Sequence, residues 1–201
     1  MTKYINNKAR QGMADTRKIR EKIAEAEKLL DAVLSLADEC YMDRRRIITE
    51  SKKAIARIIE GDVDAAARII EEMRGYKRAP SVIVDTGKQE FVEVMVLYHI
   101  LKKKEFPGME EMDVTPGEYL MGIADAIGEL KRLIIMHIVR GEKEKAVELA
   151  FIATEIYNQL RPLSIKFANI IPGFRPKMDA MSSIISHIED LIAYISAERK
   201  D

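Results

Sequence analysis

The chain has 201 residues, of which 47% are hydrophobic and 33% are charged, with only ten Gly and six Pro. This composition is typical of a globular helical protein and excludes a disordered chain. No apolar run reaches the roughly 18 residues that a membrane-spanning helix needs, so we expect a cytoplasmic protein with no membrane partner. The 33 basic and 33 acidic side chains balance, so any nucleic acid must be held by a local patch. Cys40 is the only cysteine, which excludes a disulfide or a cysteine-based zinc site within one chain.

Apolar residues recur at helical spacing along almost the whole chain, and no stretch alternates with the period of a strand. The helical segments predicted from this spacing and from end signals are residues 13–60, 63–73, 80–104, 115–141, 142–170 and 177–199. The first segment contains neither Gly nor Pro, so it is one very long helix or two joined without a sharp break. We therefore predict an all-α bundle of about six or seven helices that forms a single domain over residues 1–201.

Three of these boundaries depend on particular residues. Thr115 and Glu118 have the spacing of a capping box, with Pro116 at the first helical position. Pro80 suits the first turn of the third segment. Pro162 predicts a kink or a break within the fifth segment.

Two of the predicted helices carry carboxylates where a purely structural helix would carry Leu or Ala. Nine of the twelve residues from 90 to 101 are apolar or aromatic, yet Glu90 and Glu93 stand three apart among them. Asp125 and Glu129 stand four apart in a similarly apolar stretch of the next helix. Either spacing places both acids on one helical face. A desolvated carboxylate is costly unless it is paired or bound to a cation, so the four acids predict a divalent-metal site.

The donor atoms of this site indicate the metal and the chemistry. Oxygen ligands without Cys favour Mg²⁺, with Mn²⁺ as the alternative, over zinc. Such an ion suits phosphoryl transfer to water, because it activates the water and cancels charge on the phosphate. The competing interpretation is that each acid is buried for structural reasons against Arg or Lys. Arg132, three residues after Glu129, can form one such pair but cannot neutralise four acids.

The three histidines argue against an iron site. None of His99, His137 and His187 completes the Glu-x-x-His pattern of di-iron carboxylate bundles. His99 lies about 240° around the helix from Glu93, so we expect it in the core or at an interface. The chain also has no glycine-rich phosphate loop and no candidate nucleophile of the Gly-x-Ser-x-Gly or Cys-His type, so covalent catalysis has no support.

Basic residues cluster in the sequence ahead of the first acidic pair. Most charge runs are solvated faces, and that interpretation has equal weight here. A phosphate polymer next to a metal site would need such residues to hold its backbone. The candidate nucleic-acid-binding residues are Arg45, Arg46, Lys52, Lys53, Arg74, Arg78, Lys88 and Arg132.

Three segments resemble the translin family. The sequences GKQEFVEVMVLYHI at 87–100 and TPGEYLMGIADAIGELKRLII at 115–135 are similar to the acidic segments of its factor X branch. The sequence RRIITESKKAI at 45–55 is similar to the first-helix pattern of the family. The resemblance covers roughly residue 38 to the end of the chain, and the two acidic segments are its most specific part.

This resemblance implies a seven-helix protomer that assembles into closed octameric shells, which enclose RNA against a basic inner surface. The factor X branch is a magnesium-dependent endoribonuclease, and its acidic residues match here as Glu90, Glu93, Asp125 and Glu129. Translin itself lacks this acidic set. Only residues 104–115 remain of the long insertion that separates the acidic helices in the animal proteins. We therefore expect a homo-oligomeric, metal-dependent endoribonuclease that acts on single-stranded or short RNA, with single-stranded DNA as a further candidate partner.

Two rival functions stay open at this point. An all-α nucleoside triphosphate pyrophosphohydrolase also holds Mg²⁺ on carboxylates of two helices and begins with Glu-x-x-Glu, but the second pair here is Asp-x-x-x-Glu instead of Glu-x-x-Asp. A non-catalytic shell that binds RNA or single-stranded DNA is the rival from another class. The four acids disfavour it, because carboxylates repel phosphate unless a cation is present.

Overall fold

The computed structural model describes residues 16–76 and 85–197. These residues form six α-helices, which are α1 (Thr16–Glu60), α2 (Val63–Arg74), α3 (Thr86–Tyr98), α4 (Pro116–Val139), α5 (Lys143–Lys166) and α6 (Phe174–Ala197). A π-helical turn, His99–Lys103, prolongs α3, and a 3₁₀ turn, Met109–Glu111, precedes α4. The two described ranges contain no strand. The predicted all-α class with a long first helix is therefore confirmed.

Helix α1 is one unbroken helix of 45 residues, and only its C-terminal part packs on the bundle. Ile47, Ala54 and Ile58 lie on its buried face at the three- and four-residue spacing that the sequence predicts. The large apolar side chains that its N-terminal half exposes are Ile23, Leu29, Leu30, Leu34 and Leu36. None of the helices in the described ranges is long and apolar enough to cross a membrane.

Helices α3 and α4 form the centre of the bundle. Helix α3 packs against α1 and α4, and α4 also packs against α5 and α6. The apolar side chains of α3 that are at most 1% exposed are Phe91, Val92, Val94, Met95, Val96 and Leu97. A helix with so little polar surface is buried on nearly every side, and Glu90 and Glu93 within it are only partly exposed.

The two central helices approach each other closely at Gly122 of α4. A Cβ atom at this position would lie 2.5 Å from the carbonyl oxygen of Gln89 and 2.6 Å from Cβ of Val92. Neither a backbone oxygen nor a Cβ atom can move away without shifting α3, so this contact requires glycine. Gln89 directly precedes Glu90, and Gly122 precedes Asp125 by one turn. The close contact therefore brings the two acidic pairs to neighbouring turns of the two helices.

Helix α3 begins later than the sequence predicted. Its N-cap is Asp85, whose carboxylate accepts a hydrogen bond from the Gly87 N–H at 2.8 Å, and its first residue is Thr86. Pro80, predicted to lie in the first turn of this helix, lies outside the described residues and ahead of the observed start. The prediction of this helix start was wrong. The carboxylate of an Asp cap accepts a hydrogen bond from a free backbone N–H at the helix start, whereas a proline has no N–H of its own and forms no such bond.

The other predicted helix boundaries agree more closely with the structure. Thr115 and Glu118 form the predicted capping box, in which the Glu118 carboxylate accepts from the Thr115 N–H at 2.9 Å. Helix α5 continues through Pro162 to Lys166, so this proline does not break it. Helix α6 begins at Phe174, three residues before the predicted start. The predicted first residue, 13, and last residue, 199, lie outside the described ranges.

Candidate active site

The structure brings together the four carboxylates that the sequence singled out. Glu90 and Glu93 of α3 and Asp125 and Glu129 of α4 lie close enough for their charges to act on one another. We call these four side chains the acidic cluster. Each pair lies on one face of its helix, as the spacing predicts, and the approach at Gly122 sets the two faces against each other.

Burial of like charges perturbs the ionisation of this cluster. Burial, together with the negative charges of Asp125, Glu90 and Glu129, raises the pKa of the Glu93 carboxyl from 4.5 to about 8. The pKa of Glu90 is raised as well, mainly by burial, although the positive charges of Lys52 and Lys177 oppose the shift. At neutral pH the cluster therefore keeps a proton on Glu93 unless a cation compensates the negative charge.

Lys177 is a member of the site that the sequence did not reveal. It projects from the first turn of α6, and its Nζ lies 2.6 Å and 2.7 Å from the two carboxylate oxygens of Asp125. The same ammonium donates to the carbonyl oxygen of Met121 at 3.4 Å, so it is fixed to α4 at two points. No local spacing points to this contact, because it depends on the packing of α6 against α4.

One carboxylate oxygen of Glu129 has no hydrogen-bond partner. Nη1 of Arg132 lies 3.6 Å from Oε2 of Glu129, so the predicted pair forms, but the distance exceeds that of a hydrogen bond. The arginine side chain is 61% exposed, which weakens the interaction further. Oε2 itself is shielded from solvent and has no hydrogen-bond partner. A buried carboxylate oxygen without a partner is unfavourable, and a bound cation would satisfy it.

The donor set fits a hard divalent cation, because it consists of carboxylate oxygens of which one is unpartnered. As the side chains stand, however, no three Asp, Glu, His or Cys residues within 16–76 and 85–197 form a ready group of metal ligands. Lys177 binds both oxygens of one of the four acids, Asp125.

Most of the predicted nucleic-acid-binding residues are exposed. This group consists of Arg45, Arg46, Lys52, Lys53, Arg74 and Arg132. Several are paired with acids of their own helix, for example Lys53 with Glu50 at 2.7 Å. Lys52 faces the acidic cluster, because its charge lowers the pKa of Glu90. Arg78 lies outside the described residues.

Lys88 does not fit the role predicted for it. It is only 3% exposed, and its Nζ lies 3.9 Å from Oε2 of the buried Glu118. A buried lysine beside its own counter-ion does not present its ammonium at the surface, which counts against this assignment. The burial is set by a glutamate of another helix, which the local sequence around Lys88 does not reveal.

His99 lies in the core, as predicted. It is 1% exposed, and burial lowers its pKa. Its two ring nitrogens have no hydrogen-bond partner, and the nearest carboxylates, of Glu105 and Glu111, lie 3.7 Å and 4.0 Å away. The groups whose charges shift the pKa values of Glu90 and Glu93 do not include His99.

The fold and the site together define an all-α bundle with a cluster of carboxylates between its two central helices. The model of the Translin family matches residues 14–196 of the chain. The chain therefore belongs to the translin family, and the resemblance found in its acidic segments is confirmed.

Individual relatives are distant in sequence. An uncharacterized protein of Methanocaldococcus jannaschii is 24% identical over 179 residues, which cover 86% of this chain and 79% of that protein. Translin-associated protein X of Mus musculus is 25% identical over 149 residues, which cover 58% of this chain and 50% of the mouse protein. The chain thus spans about half the length of the mammalian relatives that it matches.

Solved structures share the fold. The structure of the AfC3PO–duplex RNA complex superposes with a TM-score of 0.72 at 24% identity and covers 90% of this chain and 100% of that one. The crystal structure of apo-NeC3PO superposes with a TM-score of 0.62 at 24% identity, covering 86% of this chain and 96% of that one. At these identities the similarity establishes the bundle architecture.

Proposed function

We propose that this chain is a metal-dependent endoribonuclease that cleaves single-stranded or short RNA inside a homo-oligomeric shell, octameric as in the family it resembles. The observation that carries the proposal is the acidic cluster, in which two apolar helices supply four carboxylates to one partly buried place. Family membership supports it, and one solved relative, AfC3PO, is a complex with duplex RNA.

Glu90, Glu93, Asp125 and Glu129 would hold one or two Mg²⁺ ions, with Mn²⁺ as the alternative. When bound, such an ion supplies Lewis acidity toward the scissile phosphate and the attacking water. Glu93 releases its proton on binding, because its pKa of about 8 keeps it protonated otherwise. Oε2 of Glu129, which has no hydrogen-bond partner, would be available to hold such an ion.

The exposed basic residues would hold the RNA beside this cluster. Lys52 of α1 is placed for this role, since it is exposed and its charge reaches Glu90. Arg45 and Arg46 lie about two turns earlier on the same helix and are exposed too. Contacts of this kind position a phosphate backbone without reading its sequence. The acidic cluster, and not these contacts, would therefore determine where the RNA is cleaved.

The test is cleavage of end-labelled RNA, single-stranded and duplex, with Mg²⁺ or with EDTA. We expect cleavage that needs Mg²⁺ and that falls by roughly a hundredfold or more in Glu129→Gln, since this change removes a ligand charge without changing the shape of the side chain. Glu72→Gln is the matched control, because Glu72 is an exposed glutamate of α2. Equal cleavage by Glu129→Gln and the wild type would refute the assignment.

One observation favours a second candidate, a non-catalytic RNA-binding shell. Lys177 already pairs with Asp125, and the described residues contain no ready metal-ligand group. A shifted RNA band without cleavage under any metal condition would support this candidate. Release of pyrophosphate from free nucleoside triphosphates would instead indicate the pyrophosphohydrolase. A native mass of one or two chains would contradict the shell in both RNA proposals.

A further inference from the structure

Lys177 is a cation that the protein itself places in the acidic cluster. Its ammonium binds both oxygens of Asp125, at 2.6 Å and 2.7 Å, and the lysine side chain is only 19% exposed. The Coulomb effect of Lys177 extends further, because its charge also lowers the pKa of Glu90 and of Glu93. One lysine therefore acts on three of the four acids.

The place of Lys177 in its own helix is unfavourable. It lies in the first turn of α6, where the helix dipole favours acidic side chains, and that turn contains no acid. The neighbouring side chains of Phe174 and Met178 are 0% and 2% exposed, so they fix the first turn of α6 to the bundle. The attachment places Lys177 beside α4, where the contact with Asp125 compensates its unfavourable position.

Other cations near the cluster are bound more weakly. Arg132 is 61% exposed and lies 3.6 Å from Glu129. Lys52 is exposed, and its charge lowers the pKa of Glu90. The contacts of the described residues include no direct ion pair between the two. Screening by solvent makes such contacts worth little, whereas a two-point contact at a partly buried site is worth more.

We propose that Lys177 competes with the divalent cation for the acidic cluster and thereby sets the affinity of the site for that ion. The inference depends on the cation site of the proposed function. The ammonium cancels the charge of Asp125 and would repel a divalent ion at the same two oxygens, so the ion binds this ligand more tightly when Lys177 withdraws. Lys177 is thus a positioning residue that acts through Asp125.

The experiment is calorimetric titration of Mn²⁺ into the full chain, in the wild type and in Lys177→Met. Removing the competing ammonium should make Mn²⁺ binding about tenfold tighter, which corresponds to about 1.4 kcal/mol. Lys177→Arg keeps the charge and should bind Mn²⁺ about as the wild type does. Lys102→Met is the matched control, because Lys102 forms an ion pair of the same length, 2.7 Å, with Asp64 outside the cluster.

A second measurement does not involve the ion. In EDTA, Lys177→Met should unfold at a lower temperature than Lys102→Met, because it leaves the ionised carboxylates of the cluster without their internal counter-ion. If Lys177→Met does not fold, Lys177→Gln provides the same two comparisons with a polar side chain of similar length.

The outcomes separate this inference from the proposed function. Mn²⁺ binding by Lys177→Met that equals or is weaker than that of the wild type would overturn the competition. No binding by either protein would overturn both the competition and the cation site. A tenfold difference in Mn²⁺ affinity together with an absence of RNA cleavage would support the competition and refute the nuclease.

Discussion

Replacing Glu93 with glutamine should remove most of the pH dependence of stability that the acidic cluster creates in the absence of divalent ions. The pKa of Glu93 is raised from 4.5 to about 8 by burial and by its acidic neighbours. Between these two values the native protein keeps a proton that the unfolded chain has lost. The native state therefore binds more protons, and the free energy of unfolding falls as the pH rises through this window.

The size of the effect follows from the two pKa values. A shift from 4.5 to about 8 corresponds to a destabilisation of at most about 4 kcal/mol at about pH 8, of which about 3 kcal/mol develops above about pH 5. Below the unfolded pKa the carboxyl is protonated in both states and contributes nothing. Glutamine is neutral at every pH and has nearly the same shape, so Glu93→Gln should be the more stable protein at about pH 8 and nearly equal to the wild type at about pH 4.5.

The assay is urea unfolding in EDTA at several pH values between about 5 and 8. Glu72→Gln makes the same chemical change at an exposed position of α2 and should follow the wild type throughout. If Glu93→Gln and the wild type lose stability in parallel as the pH rises, Glu93 does not carry a raised pKa. The electrostatic description of the cluster would then be wrong.

Two further predictions concern the scaffold. Gly122→Ala should lower the free energy of unfolding by about 1–3 kcal/mol, because its Cβ would lie 2.5 Å from a backbone oxygen of α3. Gly128→Ala on the same helix is the control, because its Cβ would meet nothing within 4 Å, and it should stabilise the protein by about 0.5–1 kcal/mol. Equal effects of Gly122→Ala and Gly128→Ala in thermal unfolding would argue against the close contact of α3 and α4. Glu118→Ala should cost about 3–5 kcal/mol, since it leaves Lys88 buried without its carboxylate and removes the capping bond to Thr115. Adding Lys88→Met should restore part of that loss in denaturant unfolding, and the absence of any recovery would show that the buried pair is not the cause.

The sequence predicted most of the fold because local rules determine it. The periodic apolar residues of α1, without Gly or Pro, are sufficient for one long helix. Thr115 and Glu118 specify a helix start through hydrogen bonds that form within one turn. At the start of α3 the prediction relied on Pro80, whereas the helix begins at the cap that Asp85 supplies.

The site was predictable only in part. The four acids could be found because they interrupt apolar helix faces, which is a local anomaly with a known energetic cost. The ion pairs of this region, in contrast, join residues that lie far apart in the sequence. Lys88 is buried by Glu118 of α4, and Lys177 reaches Asp125 from α6. In both cases the partner lies on another helix, and the sequence around each lysine looks like an ordinary charged surface.

Three local conflicts meet in the scaffold around the acidic cluster. Gly122 gives up helix propensity so that α3 and α4 can approach each other. Lys177 stands at the end of α6 that disfavours a cation, and Glu93 carries a carboxyl where an apolar residue of similar size would pack without electrostatic cost. Each feature alone has a structural interpretation. Together they place a carboxyl of raised pKa, a close helix contact and an internal counter-ion at one point of the bundle, and the proposed cation site depends on all three. Local conflicts that converge in this way are expected at functional sites, because selection for function retains residues that selection for folding would replace.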